Sequence, residues 1–432
     1  MGWVMMVPLA VALLPLAAGE LGGGGLSLLW PIPREVECEP GVRAVGETLA
    51  ITTESRSPVA LAAVRRYTPL LQQLGLPADA PPPSPHPPIT AVNVLLRTES
   101  EQLDKHTDYS HSIRLAPSDD VVQIEASPFG AVYALETLSQ LLAHQPRSLG
   151  CVALRIDDRP AFSWRGLLID AGRRHYPVPL IEKLLDGMVM AKLNVLHLHL
   201  ADYGNSEYEQ FGAGGIRLES KRYPALTAGL QDRKGNRLYY NKTELASLID
   251  YAHKRGVRVV PELEQPGHAS FLWPLRGESA EGLEFCSANT EDKTGAQLLD
   301  DPKGNARKVL FGVLEEFAPL FPEATFHIGG DETQYVGGCT KENTIGLEKE
   351  VVGKVNKLKK QPMMWYAPGT TTKVATRNTI IQAWTDDYTA GAATADGWEA
   401  VESKGGNLYM DHPGPNVTGW ADVSNYCTPP GS

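Results

Sequence analysis

A chain of 432 residues is long enough for two domains. Its 42% apolar and 21% charged content is that of a globular protein and excludes general disorder. A net charge of -11 with no basic stripe excludes a nucleic-acid-binding surface.

Residues Met1 to Ala18 are almost wholly apolar and run into Ala17-Ala18-Gly19. Residues 1–19 are therefore expected to be a secretory signal peptide, with a short membrane anchor as the alternative. Secretion places some of the five cysteines (Cys38, Cys151, Cys286, Cys339 and Cys427) in disulfides, since none has metal-ligand spacing. Asn241-Lys-Thr243 and Asn416-Val-Thr418 are N-glycosylation sequons of the same compartment.

Residues 20–160 read as a small α+β domain. Ala91 to Arg97 and Val121 to Ala126 are β-branched runs expected as strands. Gly130 to His144 carries Val132, Leu135, Leu138 and Leu142 at helical spacing. Pro81-Pro82-Pro83-Ser84-Pro85 lacks amide donors and reads as an exposed spacer.

From residue 161 onward the rhythm changes to short apolar strands alternating with helices. Strands are expected at 166–170, 194–200, 257–263, 325–329, 363–366, 379–384 and 407–410. Helices are expected at 180–190 and 242–255, the second opened by Asn241 and closed by Gly256. Alternating units imply a parallel sheet. Seven of them fit a (β/α)₈ TIM barrel with its last strand missing; a doubly wound sheet is the alternative.

In such barrels the site lies at the C-terminal strand ends. There the chain places Asp170, Arg173, His197, His199, Asp202, Glu262, Glu264, His268, Asp331, Glu332, Trp365, Trp384, Tyr409 and Asp411. Carboxylates and arginine bind sugar hydroxyls, and flat aromatic rings take the apolar faces of a pyranose. The histidines admit two readings: a metal site with the carboxylates, or a hydrogen-bonded core. Asp331–Glu332 also admits two. Gly329 and Gly330 permit a turn that brings both acids into one pocket, or the pair caps the next helix.

Four motifs in order resemble glycoside hydrolase family 20, the β-N-acetylhexosaminidases. They are Arg165-Gly-Leu-Leu-Ile-Asp170, Lys192-Leu-Asn-Val-Leu-His-Leu-His-Leu200, Pro266-Gly-His268 and His327-Ile-Gly-Gly-Asp-Glu332. Leu29-Trp30-Pro31-Ile32-Pro33 and Tyr133-Ala-Leu-Glu-Thr-Leu-Ser-Gln140 are similar to the family's N-terminal domain. The resemblance implies exo-acting removal of terminal N-acetylhexosamines from glycans or chitin fragments, without a cofactor or metal. The mechanism it implies is retaining and substrate-assisted, through an oxazolinium ion. Glu332 becomes the acid/base and Asp331 the carboxylate that holds the acetamide N–H. Tyr409 meets the acetamide oxygen, Trp365 and Trp384 wall its pocket, and Arg173 and Asp411 contact the sugar. Asp202 and His268 form a relay behind Glu332. An acid that stays protonated needs a raised pKa, so an acidic optimum is expected.

The resemblance also implies a Cys286–Cys339 disulfide, a homodimer, and residence outside the cell or in a lysosome or vacuole. Against it, the last barrel strand and helix have no counterpart. The stretch from Cys339 to Trp365 is short for a helix-strand unit, and Tyr203 stands where a second acid is frequent. A carbohydrate-binding relative with impaired catalysis is therefore the second expectation.

Overall fold

The computed structural model describes residues 29–74, 84–144, 147–202, 215–287, 296–333, 335 and 337–410. The expected signal peptide, Pro81 to Pro83, Tyr203, Asp411, Asn416 and Cys427 lie outside these residues.

The first layer is built from β1 (Glu35–Thr53), α1 (Pro58–Leu74), β2 (Ile89–Leu96), β3 (His111–Leu115), β4 (Val121–Ala126), α2 (Pro128–His144) and β5 (Ser148–Asp158). In β4 the residues Val122, Ile124 and Ala126 are buried while Val121, Gln123 and Glu125 are not, the period of a strand with one face on a core. Strand β1 pairs antiparallel with β5 along its first half and parallel with β2 along its second. The order β1-β2-β4-β3-β5 therefore closes on itself. Cys38 and Cys151 form a disulfide across the β1–β5 pair. From sequence only β2, β4 and α2 were marked here. The first half of β1, Glu-Val-Glu-Cys-Glu-Pro-Gly, alternates charge with small apolar groups at the period of a strand, but the Pro-Gly break after five residues reads as a turn.

This layer is anchored to the second by tyrosines. The Tyr109 hydroxyl donates to the Gly256 carbonyl at 2.9 Å. The Tyr133 hydroxyl donates to the Lys192 carbonyl at 2.9 Å and accepts from Arg165 Nη2 at 2.8 Å.

The second layer alternates strand and helix. Its elements are β6 (Gly166–Asp170), α3 (Val178–Met190), β7 (Val195–His199), α4 (Lys242–His253), β8 (Arg258–Glu262), the short strands β9 (Phe285–Ser287) and β10 (Gln297–Leu298), and α5 (Asn305–Phe317). They continue with β11 (Thr325–His327), α6 (Lys341–Lys357), β12 (Gln361–Trp365), α7 (Thr371–Val374), β13 (Ile380–Ala383), α8 (Ala390–Ala395), β14 (Glu399–Glu402) and α9 (Gly405–Leu408). Helix α4 starts at a capping box: Asn241 accepts from the Glu244 amide while the Glu244 side chain accepts from the Asn241 amide. The sequon asparagine at 241 is thus the helix cap.

Seven strands form one sheet in the order β14-β13-β12-β11-β8-β7-β6, with every pairing parallel. Every residue of β7 and β8 is buried, as expected for a parallel sheet covered on both faces. The sheet is strongly curved. Strands β7 and β12 are three places apart, roughly 14 Å in a flat sheet. Yet the rings of His197 and Trp365, one on each strand, have centroids only 6.1 Å apart. Side chains that converge in this way share the concave face of the curved sheet.

Two expectations need correction. The seventh strand is Glu399–Glu402, not 407–410. As an edge strand it pairs only with β13, so Glu-Ala-Val-Glu needs no apolar run, while Gly405 to Leu408 coils into α9. The stretch from Cys339 to Trp365 is also sufficient: the 17-residue α6 and β12 fit within it because the connections are tight. Among the described residues no strand joins β14 to β6.

Candidate active site

The turn after β11 is shaped by steric necessity. Gly329 and Gly330 have φ of 71° and 96°, and Glu332 has φ of 44°, all left-handed. A Cβ on Gly329 would fall on the Glu264 carboxyl group. That group instead accepts from the Gly330 amide at 2.9 Å. On the other side, a Cβ on Gly267 would come within 2.9 Å of the Asp331 carbonyl oxygen, so the Pro-Gly-His turn packs directly on the acid pair. Asp331–Glu332 does not cap a helix: α6 begins at Lys341 and Thr340 is its cap.

The two acids occupy different environments. The Asp331 side chain is 21% exposed and the Glu332 side chain 61%. Desolvation pushes the Asp331 carboxyl up to about 6, opposed by His268 and reinforced by Glu262 and Asp202. Glu332 is shifted the other way. Its Oε2 lies 3.1 Å from His268 Nε2, and this hydrogen bond holds it below its ordinary value. The raised value expected for Glu332 from sequence is therefore not found, because an open carboxylate next to an imidazolium keeps its charge.

His268 gains that charge from the carboxylates around it. Burial lowers its basicity, but hydrogen bonds to Asp202 and Glu332 outweigh burial and raise it to about 10. His268 Nδ1 lies 3.4 Å from Asp202 Oδ1. Asp202 is buried, and its partners His199 and His268 overcome the burial penalty and hold it ionised. The Arg173 guanidinium spans Asp170 Oδ2 at 2.6 Å and Asp202 Oδ2 at 2.8 Å. Arg173, Asp202, His268, Asp331 and Glu332 thus form one cluster.

The aromatic residues stand on the other side. The Trp365 indole N–H donates to Glu262 Oε1 at 2.6 Å, and its ring meets Trp384 edge-on with centroids 6.4 Å apart. The Trp384 indole N–H donates to the Tyr366 carbonyl at 2.8 Å. Tyr409 follows α9 rather than a strand. Its ring lies beside Gly405, whose amide donates to the Trp384 carbonyl at 2.9 Å. Asp411 and the sequon at Asn416 lie outside the described residues. Cys286 and Cys339 are joined, tying β9 to the segment before α6.

The histidines crowd around Glu262. His197, Glu262 and His327 bring donor atoms close enough to hold an ion. His197 Nε2 and His327 Nδ1 lie 2.9 and 3.0 Å from the Glu262 carboxylate, yet His197 Nε2 and Glu262 Oε2 have no hydrogen-bond partner among the described residues, so the arrangement fits both readings. From sequence Glu262 and Glu264 had no assigned role. Their signal was spacing: two apart on a strand end, they point the same way.

Comparison with known proteins gives the chain a context. The description "Glycosyl hydrolase family 20, catalytic domain" matches residues 162–429. The chain is 27% identical to Beta-hexosaminidase 1 of Arabidopsis thaliana over 361 residues, covering 75% of this chain and 60% of that protein. It is 30% identical to a "Probable beta-hexosaminidase" of Arthroderma benhamiae over 257 residues, 57% of this chain and 40% of that protein. The chain thus spans between two-fifths and three-fifths of the length of these relatives. Among solved structures it is similar to the Flavobacterium johnsoniae chitobiase, with a TM-score of 0.67 and 25% identity over 89% of this chain and 60% of that one. Such neighbours carry a TIM-barrel catalytic domain preceded by an N-terminal domain, the order of the two layers here.

Proposed function

From its membership of glycosyl hydrolase family 20, to which the chain belongs, we propose that it hydrolyses terminal non-reducing N-acetylhexosamines. The substrates are glycans or chitin fragments, and the mechanism is retaining and substrate-assisted. The observation that carries the reading is the divided environment of the acid pair: Asp331 desolvated beneath the mouth, Glu332 open and bonded to His268. Two adjacent carboxylates so placed address two different atoms of one sugar.

Asp331 accepts the acetamide N–H and aims the carbonyl oxygen at the anomeric carbon. The carbonyl oxygen forms the new bond to that carbon while the glycosidic bond breaks, giving an oxazolinium ion with no bond to the enzyme. Trp365 and Trp384 wall the acetamide, Tyr409 donates to its oxygen, and Arg173 and Asp411 hold ring hydroxyls. Glu332 delivers a proton to the leaving oxygen and later takes one from water.

The proton has a source in the free site. His268 and Glu332 share one across their 3.1 Å contact, and it rests on the imidazole while water bathes the carboxylate. A sugar covering Glu332 removes that water, which disfavours the separated charges and moves the proton to Glu332. The test is release of chromophore from an aryl N-acetylglucosaminide. Glu332→Gln is expected to lower kcat by roughly 10²- to 10⁴-fold.

A second reading is a sugar-binding relative with impaired catalysis, favoured by the His268 hydrogen bond that holds Glu332 in its charged form and not as an acid. Folded protein that binds a thiazoline inhibitor but releases no chromophore would select it. We also place the protein in the secretory pathway, where the two disulfides are stable.

A further inference from the structure

Glu262 has no role in the scheme above, yet three imidazoles and an indole N–H close in on its carboxylate. It is fully buried at the end of β8. Its Oε1 accepts the Trp365 indole N–H at 2.6 Å and lies 3.0 Å from His327 Nδ1. Its Oε2 lies 2.9 Å from His197 Nε2 and 2.7 Å from His199 Nδ1. His199 Nε2 in turn lies 2.8 Å from Asp202 Oδ2, and Asp202 Oδ1 lies 3.4 Å from His268 Nδ1. His268 Nε2 ends the chain at Glu332, 3.1 Å away. Carboxylate and imidazole alternate without a break from the barrel interior to the open acid.

We propose that Glu262 is a positioning residue that fixes both walls of the site at once: Trp365 through its indole, and Glu332 through His199, Asp202 and His268. The proposal rests on the hexosaminidase reading and extends it inward. An imidazole with a carboxylate on each nitrogen can neither rotate nor lose its second proton cheaply. His199 is in that position, with Asp170 a further 4.0 Å from Nε2. Its charge is favoured well above the ordinary range despite burial, through Glu262 and Asp170. Asp202 is thereby presented to His268 at a fixed angle. At the other end, the indole N–H is the one polar handle on Trp365, so its bond to Glu262 sets the plane of the ring. The charged and titratable groups facing this chain are His197 and His199 from β7, His327 from β11, Asp331 from the turn after β11, Glu264 beyond β8, and Asp170 and Arg173 from the β6 end.

The test uses the full chain as wild type, Glu262→Gln and His199→Gln. Nitrogen-15 histidine NMR is read without substrate between about pH 5 and pH 8. Wild-type His199 is expected to stay doubly protonated, and in E262Q it is expected to titrate within that range. In kinetics, E262Q is expected to lower kcat roughly 10- to 100-fold and also raise KM, because it loosens both walls. H199Q is expected to lower kcat with KM unchanged. E262Q also gains a titration limb in kcat/KM that follows His199. A core residue with only a packing role would reduce stability and leave the pH profile and the kcat–KM split unmoved, which overturns the proposal. A singly protonated His199 in the wild type also overturns it. If E262Q does not fold, H199Q decides alone, and an unchanged kcat refutes. If the wild type itself hydrolyses nothing, the hexosaminidase reading has failed. The positioning claim is then judged on NMR and on thiazoline affinity: roughly tenfold weaker binding to E262Q supports it and equal binding overturns it.

Discussion

Among the described residues, Glu348 is a carboxyl group with nothing to bond to. It lies on the inner face of α6, fully buried, and neither oxygen has a hydrogen-bond partner there. It sits behind the Gly329–Gly330 turn: a Cβ on Gly330 would lie 3.6 Å from its Oε1. Burial alone raises its pKa from the ordinary 4.5 to about 8. The folded protein therefore holds this proton where the unfolded chain has released it. Stability is greatest below the unfolded value and falls as pH rises through the interval up to about 8. At roughly 1.4 kcal/mol per decade, the loss between about pH 5 and about pH 9 is about 4 kcal/mol. Water entering on ionisation lowers this figure. Glu348→Gln keeps the shape and cannot ionise. Urea unfolding of both proteins at the two pH values is the assay, with other titrating groups cancelling in the comparison. The wild type is expected to lose more stability than E348Q by a few kcal/mol. Parallel pH–stability curves would refute the reasoning, because they would mean that the carboxyl group is solvated or paired.

Other expectations bear on the turn, the crosslink and the acid pair. Gly329→Ala places a methyl group on the Glu264 carboxyl at a positive φ, so activity is expected to collapse with a loss of roughly 3 kcal/mol or more in unfolding free energy. Wild-type stability in that variant would mean the turn can relax. Cys339→Ser opens a bridge of sequence separation 53 and is expected to cost about 4 kcal/mol by loop entropy. Thermal melts with and without reductant check it. In the proposed mechanism Asp331 must be ionised to hold the acetamide N–H, and burial pushes its carboxyl up to about 6. The kcat/KM of the free enzyme is therefore expected to fall as pH drops through about 6. A profile flat down to about pH 4 would contradict this assignment.

Much of the second layer was legible because its signals are local. The buried strands β7, β8 and β12 and the half-buried edge strand β6 carry Leu, Val, Ile or Met, and their polar ends stand out against these residues. The glycines before Asp331 announced a turn of unusual φ, and the structure uses them so. The first half of β1 and all of β14 were not legible, since an edge or bent strand carries no apolar run and is defined by its partner.

By itself the sequence determined which groups are available: the acid pair on a glycine turn, His268 after Pro-Gly, and the tryptophans at strand ends. Only the tertiary structure decided their states. Asp331 is pushed up by burial, while its neighbour Glu332 is held down by its hydrogen bond to His268, 64 positions away from Glu332 in the chain. Charge depends on what the curved sheet brings within a few ångströms, and water access depends on what covers the group. Neither is a property of neighbouring residues along the chain.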